Sequence, residues 1–441
     1  MIKIKYLNND IYYNIEDILI IYLRKAFELF FDKLKFGQNK DKVYLVINIA
    51  IAIPNYFNYL QRNILLKIFN KNLFHKKNYN KYSKYNIELK NIYIESISNL
   101  ISYSLFENFF QQKIEVYYLI LSIGGCSTNI SLVKLNKEHK NNYIEIKYIN
   151  SAEFGEEDFL DNLINSCLDQ FNEKIKNNCL NSPEILARIR KALNESKKQF
   201  DKEEITQTQI NINRLFGNID LKISLNLDNY YTACIGLFRK IIFLIKETIM
   251  NSGFDIEKIN DIILIGNMAH NSKLKKMMSE LFKDKNDHIY NKLINKSENT
   301  DNNYIIKGTI LHCYNKNSYF PKFKIINISP SSIGIENYNE QMEFLIKKGD
   351  YIPIKIIKSV KIKKPLNNII SINIYEGESK YVKNNKLISK NSLDINKNLL
   401  NFKKEEKYIE LLFQIFMDSN YHLNVFILDK NTYKMQFECL I

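Results

Sequence analysis

The chain has 441 residues, more than a usual single hydrophobic core, so two or more domains are expected. Its formal charge of +15 would suit a polyanionic partner, but Lys, Asn, Ile and Tyr dominate while Trp is absent and Gly and Pro are scarce. An A+T-rich genome imposes that bias without selection for binding, so charge alone assigns no nucleic-acid function. Cysteines 126, 167, 179, 234, 313 and 439 form no CxxC pair or zinc spacing, the N-terminus has no long apolar core, and Val43 to Pro54 is too short to span a bilayer. Free thiols, no membrane span and a cytoplasmic location are expected.

In chain order, Ile2 to Tyr13 alternates like a strand pair about Asn8-Asn9-Asp10. Asn14 then caps a helix with Glu16 and Asp17 in its first turn, running to about Lys35. Val43 to Ile53 is a buried-strand run stopped by Pro54, and the helix after it keeps Tyr56, Leu60, Ile64 and Ile68 on one face. Residues 70–90 are rich in Asn, Lys and Tyr and predict a surface insertion, followed by a helix from about Glu95.

Leu119 to Leu132, LILSIGGCSTNISL, is the stretch around which the chain is organised. An apolar run reaches Gly124 and Gly125, meets Ser127 and Thr128, and resumes a strand pattern through Ile130 and Leu132, which predicts a glycine hairpin. Adjacent glycines let backbone N–H groups converge on a phosphate, though most such hairpins are only turns. Beyond it, Gly155 marks a turn before a helix from about Asp158, and Ser182-Pro183-Glu184 opens another helix. Leu237 to Ser252 predicts an amphipathic helix closed by Gly253. DIILIGNMAHNSKL reads as strand, tight turn at Gly266-Asn267 and helix, a frequent nucleotide-contact geometry that is more often a packing turn. From about Ile325 alternating strand patterns with closely spaced turns predict a β-sandwich. No Ser/His/Asp triad, zinc site or dinucleotide fingerprint is present; Cys126 reads as a space-filling residue and His270 as a loop residue.

These segments, in this order, resemble the heat shock protein 70 family of DnaK type. VINIAIAIPNYFNYLQRNILLKIF is similar to its strand–proline–helix segment, with Pro54 and Arg62 on the positions that relay nucleotide state to the domain interface. Glu95 falls on a family glutamate, and LSIGGCSTNISLV, with Gly124, Gly125 and Ser127, resembles the second phosphate loop. FGEEDFLDNL resembles the Gly-Glu-Asp segment, ARIRKALNESKK, with Lys197 and Lys198, the nucleotide-contacting helix, and IILIGNMAHNSKLKKMM, with Gly266 and Asn267, the adenosine loop. INISPSSIGIEN, LIKKGDYIPIK and INIYEGES resemble the peptide-binding β-domain. The resemblance implies an α/β actin-like (ribonuclease H-like) nucleotide-binding domain over residues 1–318, a linker over 319–328 and an all-β sandwich over 329–441.

The departures are equally specific. The family's first phosphate hairpin and its lysine lie upstream of Met1, so half the phosphate clamp is missing. Ser122 and Asn129 replace hydrolytic aspartates; a hydroxyl and an amide coordinate Mg²⁺ poorly and are not general bases. Lys198 and His270 stand where arginines stack the adenine, which ammonium does not reproduce. The helical portion near Tyr231 to Gly236 looks shortened, and Tyr338, Asn339, Glu340 and Gln341 put polar groups where small apolar residues arch over a bound peptide. The chain ends where the helical lid would start. Glu95, Ser127, Lys197 and Gly266 serve folding as readily as ATP; Pro54 equally ends a strand, and Arg62 equally serves as a surface cation.

The expected function is that of a divergent, lidless chaperone or co-chaperone, akin to the Ssz-type ribosome-associated members. It binds ATP or ADP weakly, with Mg²⁺ doubtful, is a pseudo-ATPase rather than an enzyme, and works with a J-protein on unfolded or nascent chains, without membrane or specific DNA. The alternative is an active ATP-dependent chaperone whose gene model lacks its first exon.

Overall fold

In a computed structural model the described residues are 2–6, 9–33, 43–71, 85–108, 115–137, 142–175, 182–201, 205–294, 303–319, 322–364, 369–394, 408–428 and 435–439. Strands β1 (Ile2–Tyr6) and β2 (Asn9–Tyr13) pair antiparallel and lead into α1 (Ile15–Lys33). Asn14 heads that helix: its N–H donates to Asp17 Oδ2 at 3.2 Å and its carbonyl accepts from Ile18 at 3.3 Å. Strand β3 (Val43–Ile53) runs parallel to β4 (Tyr85–Ser96), with α2 (Tyr59–Lys71) in the connection that a parallel pair requires.

Two expectations change here. Residues 72–84 of the expected insertion lie outside the described residues, but 85–90 belong to β4; helix α3 (Ile97–Asn108) starts two residues after Glu95, as expected. The alternation through Ile87 and Leu89 carries the strand signal, masked by the Asn and Lys around it. Helix α2 buries Arg62, Ile68 and Phe69 and leaves Ile64 exposed, so its inward stripe is not the one the spacing predicts.

The glycine hairpin forms the centre of a six-stranded mixed sheet. Strands β5 (Glu115–Ile123), β6 (Thr128–Asn136) and β7 (Tyr143–Ala152) are antiparallel neighbours. Helices α4 (Glu156–Ile175) and α5 (Pro183–Asp201) follow, then a hairpin of β8 (Gln207–Phe216) and β9 (Ile219–Asn226) and helix α6 (Leu227–Asn251). Strand β10 (Asp261–Ile265) joins the sheet parallel to β5, and helices α7 (Ser272–Phe282), α8 (Asp287–Ile294) and α9 (Tyr304–Asn317) complete this half. Alternate residues of β5 serve two cores. Leu119, Leu121 and Ile123 face α4–α8, while Ile120 packs with Tyr103, Phe106 and Phe323 on the α3 side. Burial on both faces is why this strand reads as a continuous apolar run.

Helix α6 starts ten residues before Leu237, so Tyr231 to Gly236 lies within one unbroken helix. Asn226 caps it, its side chain accepting from Asn229 N–H at 2.7 Å. Asn226→Ala is expected to cost about 1 kcal/mol, read from the urea midpoint.

Residues 324–328, expected as the apolar tail of a linker, form β11 (Lys324–Ile328), parallel to β7 in the central sheet. The remaining strands are β12 (Ile333–Glu336), β13 (Met342–Ile346), β14 (Tyr351–Ile352), β15 (Ile354–Lys363), β16 (Ile369–Glu376), β17 (Lys386–Asp394), β18 (Tyr408–Met417), β19 (Leu423–Leu428) and β20 (Met435–Cys439). Strand β14 pairs antiparallel with β11 and so extends the central sheet. The others form two four-stranded antiparallel sheets, ordered β13-β12-β16-β17 and β15-β18-β19-β20, which share a core of Ile335, Ile370, Ile372, Val360, Phe413 and Val425. The loop expected to arch over a peptide is tied down at its base. Tyr338 N–H donates to the Lys361 carbonyl at 2.8 Å, and the Tyr338 ring lies 5.3 Å from that of Tyr408.

Candidate functional site

Strands β5 and β6 meet at Gly124, Gly125 and Cys126, three exposed residues between buried strands. Gly124 N–H donates to the Ser127 carbonyl at 2.8 Å, which closes the turn. The Gly124 and Gly125 carbonyls accept from Glu156 and Glu157 N–H, each at 2.9 Å, and so receive the start of α4. Gly155 permits this approach, because a Cβ there would stand 2.3 Å from the Gly124 carbonyl oxygen. Gly266 closes in from β10: its φ is +88° and a Cβ would meet the Ile123 carbonyl oxygen at 2.0 Å. Packing of backbone on backbone therefore accounts for both glycines.

Ser122 and Asn129 face each other across the hairpin. Asn129 commits both ends of its amide: Oδ1 accepts from Asn55 N–H at 2.8 Å and Nδ2 donates to Ser127 Oγ at 3.2 Å. Asn55, directly after Pro54, donates its own Nδ2 to Ser98 Oγ at 2.6 Å. Hydrogen bonds thus run from the hairpin through the Pro54 turn to α3. Glu95 belongs to the α3 end of this path, its Oε1 accepting from Ser96 N–H at 2.8 Å and Asn99 Nδ2 at 2.7 Å.

On the other side of the hairpin Lys197 has no exposed surface. Its ammonium lies 2.7 Å from Asp201 Oδ2, 3.0 Å from Glu156 Oε1 and 3.4 Å from the Met268 sulfur. Asp201 Oδ1 accepts from Tyr230 O–H and Asn271 Nδ2, both at 2.9 Å. Burial, and then the Asp201 carboxylate, push the Tyr230 phenol up, so it stays a neutral donor. Asn267 and Lys198 are exposed, Lys198 lying 3.8 Å from Glu195. Burial, and then Lys275, lower the half-buried His270 imidazole. The hairpin, Gly266 and, through Glu156, Lys197 come together as the motifs imply; Lys198 and Asn267 stand outside the cluster.

The buried residues on this side do not fit adenosine. A nucleoside needs an open face, but Lys197, Tyr230, Met268 and Asn271 are each fully buried against one another. For Mg²⁺, Ser122 and Asn129 offer only neutral oxygens, and the described residues contain no cluster of three or more His, Cys, Asp or Glu side chains.

Pro54 and Arg62 border the junction with the C-terminal strands. Arg62 Nε donates to the Phe57 carbonyl at 3.1 Å and its guanidinium lies 4.3 Å over the Tyr421 ring. Its terminal nitrogens are buried without a hydrogen-bond partner among the described residues. Beside them is a cavity of about 120 Å³ that Glu95, His312 and Tyr421 also line. Asn99 Nδ2 donates to Asn327 Oδ1 at 2.7 Å and reaches Tyr421 O–H at 3.4 Å. Tyr59 N–H donates to Glu376 Oε2 at 2.9 Å, and Ser331 Oγ bonds the other oxygen. Sequence reasoning missed Asn99, Asp201, Tyr230, Met268, Glu376 and Tyr421, because ordinary side chains in no motif give no signal until the fold gathers them.

Burial pushes the Glu376 carboxyl up against the opposing pull of Ser331, Tyr59 and Arg62. With the folded pKa raised, the unfolded chain loses this proton first, so the contribution is full below the unfolded pKa and lost as pH rises through the folded one. Glu376→Gln should flatten that fall and raise stability at neutral relative to acid pH, read from urea midpoints between about pH 4 and pH 8.

The Hsp70 protein family model matches residues 86–437. Heat shock cognate 70 kDa protein 3 of Dictyostelium discoideum is 26% identical over 391 residues, covering 89% of this chain and 58% of the relative. A heat shock 70 kDa protein of Trichophyton rubrum is 26% identical over 317 residues, covering 72% of this chain and 46% of its own length. A ribosome-associated molecular chaperone of Zygosaccharomyces rouxii is 21% identical over 434 residues, covering 98% of this chain and 65% of the relative. The chain thus spans roughly half to two thirds of the length of these relatives. With a match over most of its length, the chain belongs to the heat shock protein 70 family.

Proposed function

We propose that the chain is a divergent chaperone or co-chaperone that acts through protein contacts, with ATP binding weak at most and hydrolysis poor or absent. Its partners are a J-protein and unfolded or nascent polypeptide, at the ribosome in the cytoplasm. We read residues 1–318 as its nucleotide-binding-type domain and 329–441 as its β-sandwich domain; of the connection over 319–328, residues 324–328 are strand β11 of the central sheet.

One observation carries the reading. Asn129, on a hydrolytic position, is locked in structural bonds to Asn55 and Ser127 and has no carboxylate with which to organise Mg²⁺-bound water. The same residue begins the hydrogen-bonded path toward α3 and Tyr421, so this chain uses the position for coupling its parts. A basic chain suits an RNA-rich partner, and one relative's name places that relative at the ribosome.

The test is turnover of ATP with and without a J-protein, beside co-sedimentation with ribosomes over a salt series. Unstimulated, near-background turnover with sedimentation that survives moderate salt is the expected result. J-protein-stimulated turnover would overturn the pseudo-ATPase reading, and loss of sedimentation at slightly raised salt would overturn the ribosomal one.

A further inference from the structure

We propose that the adenosine side of the cleft is filled by the chain itself, with Lys197 acting as a built-in cation that joins α4, α5 and the Gly266 turn in place of a nucleotide. This deepens the function proposed above and rests on it for the position of the subsite.

Lys197 comes from α5, Glu156 from the first turn of α4, Met268 and Asn271 from the segment after Gly266, and Tyr230 from α6. One ammonium therefore ties together elements that a ligand in the cleft would otherwise have to bridge. Asp201 is satisfied on both oxygens, by Lys197 on one and by Tyr230 and Asn271 on the other. Asp201, with 7% of its surface exposed, offers a base or ribose no free oxygen.

Charge points the same way. The cluster holds one ammonium and two carboxylates, so once Lys197 is engaged its surroundings repel a polyphosphate. Entry would require breaking a buried ion pair and displacing the Met268 side chain, with no new partner for Asp201. The motif residues are thus retained as the parts of a closed joint.

The full chain is incubated with an acyl-phosphate derivative of ATP, which acylates lysines at nucleotide sites, and labelled peptides are identified by mass spectrometry with and without excess ADP. In parallel, radiolabelled ADP with Mg²⁺ is followed by equilibrium dialysis, and melts are recorded with millimolar ADP. The expected result is an unlabelled Lys197, no saturable binding and an unchanged Tm; a ligand at about 100 times its Kd would instead raise Tm measurably. ADP-sensitive labelling of Lys197, or saturable ADP binding, would overturn the proposal. Binding without turnover would leave the pseudo-ATPase function standing while this inference falls; J-protein-stimulated turnover would remove both.

Discussion

Lys197→Ala is expected to lower the unfolding free energy by about 3–5 kcal/mol, because it strands Asp201 and Glu156 without the cation they share. Asp201 is 7% exposed and Lys197 fully buried, so solvent cannot replace the lost partner at little cost. A surface lysine would give a different result. Lys198, one residue on, is half exposed and 3.8 Å from Glu195, and its replacement should move stability by under about 1 kcal/mol. Guanidinium unfolding of both single variants and of Lys197→Met with Asp201→Leu completes the comparison. Removing the whole pair with volume kept should recover most of the loss, since a buried ion pair is costly chiefly when half of it remains. A Lys197→Ala midpoint equal to that of the Lys198 variant would mean that the ammonium holds nothing together.

Gly266→Ala is expected to cost about 3 kcal/mol or more, through two separable effects. A side chain at φ +88° and ψ 151° pays about 1–3 kcal/mol for a backbone conformation that is essentially glycine's alone, and its Cβ, 2.0 Å from the Ile123 carbonyl oxygen, adds about 1–3 kcal/mol of overpacking. Gly253→Ala is the internal control, with φ +64° and nothing within 4 Å of its Cβ. It should show the backbone effect alone. Equal losses at the two positions would mean that the Gly266 turn gives way and does not hold the hairpin. A larger loss at Gly266 would identify the close approach of β10 and β5 as a constraint on the cleft.

The hairpin was legible because β5, buried on both faces, reads as a continuous apolar run, and because adjacent glycines punctuate it before β6. The capped starts of α1 and α5 were legible for the same local reason: Asn14 and the Ser182-Pro183 pair act within one helical turn. Less local features were missed. Strand β4 needs β3 beside it to become a strand, and β11 needs β7, so composition made the first part of one an insertion and the other a linker.

By itself, the sequence determined the family, the order of strands and helices around the hairpin, and the neutral side chains at Ser122 and Asn129. These are properties of residue type and spacing, which survive at 26% identity because periodicity and turn chemistry are short-range. Only the tertiary structure decided what the motif residues touch. Lys197 is the same ammonium in either reading, but whether it faces a ligand or Asp201 depends on how Met268, Tyr230 and Asn271, dozens of residues away, close over it. Burial removes the water that would let a charge stand alone, so the nearest carboxylate, which no local pattern specifies, sets its role.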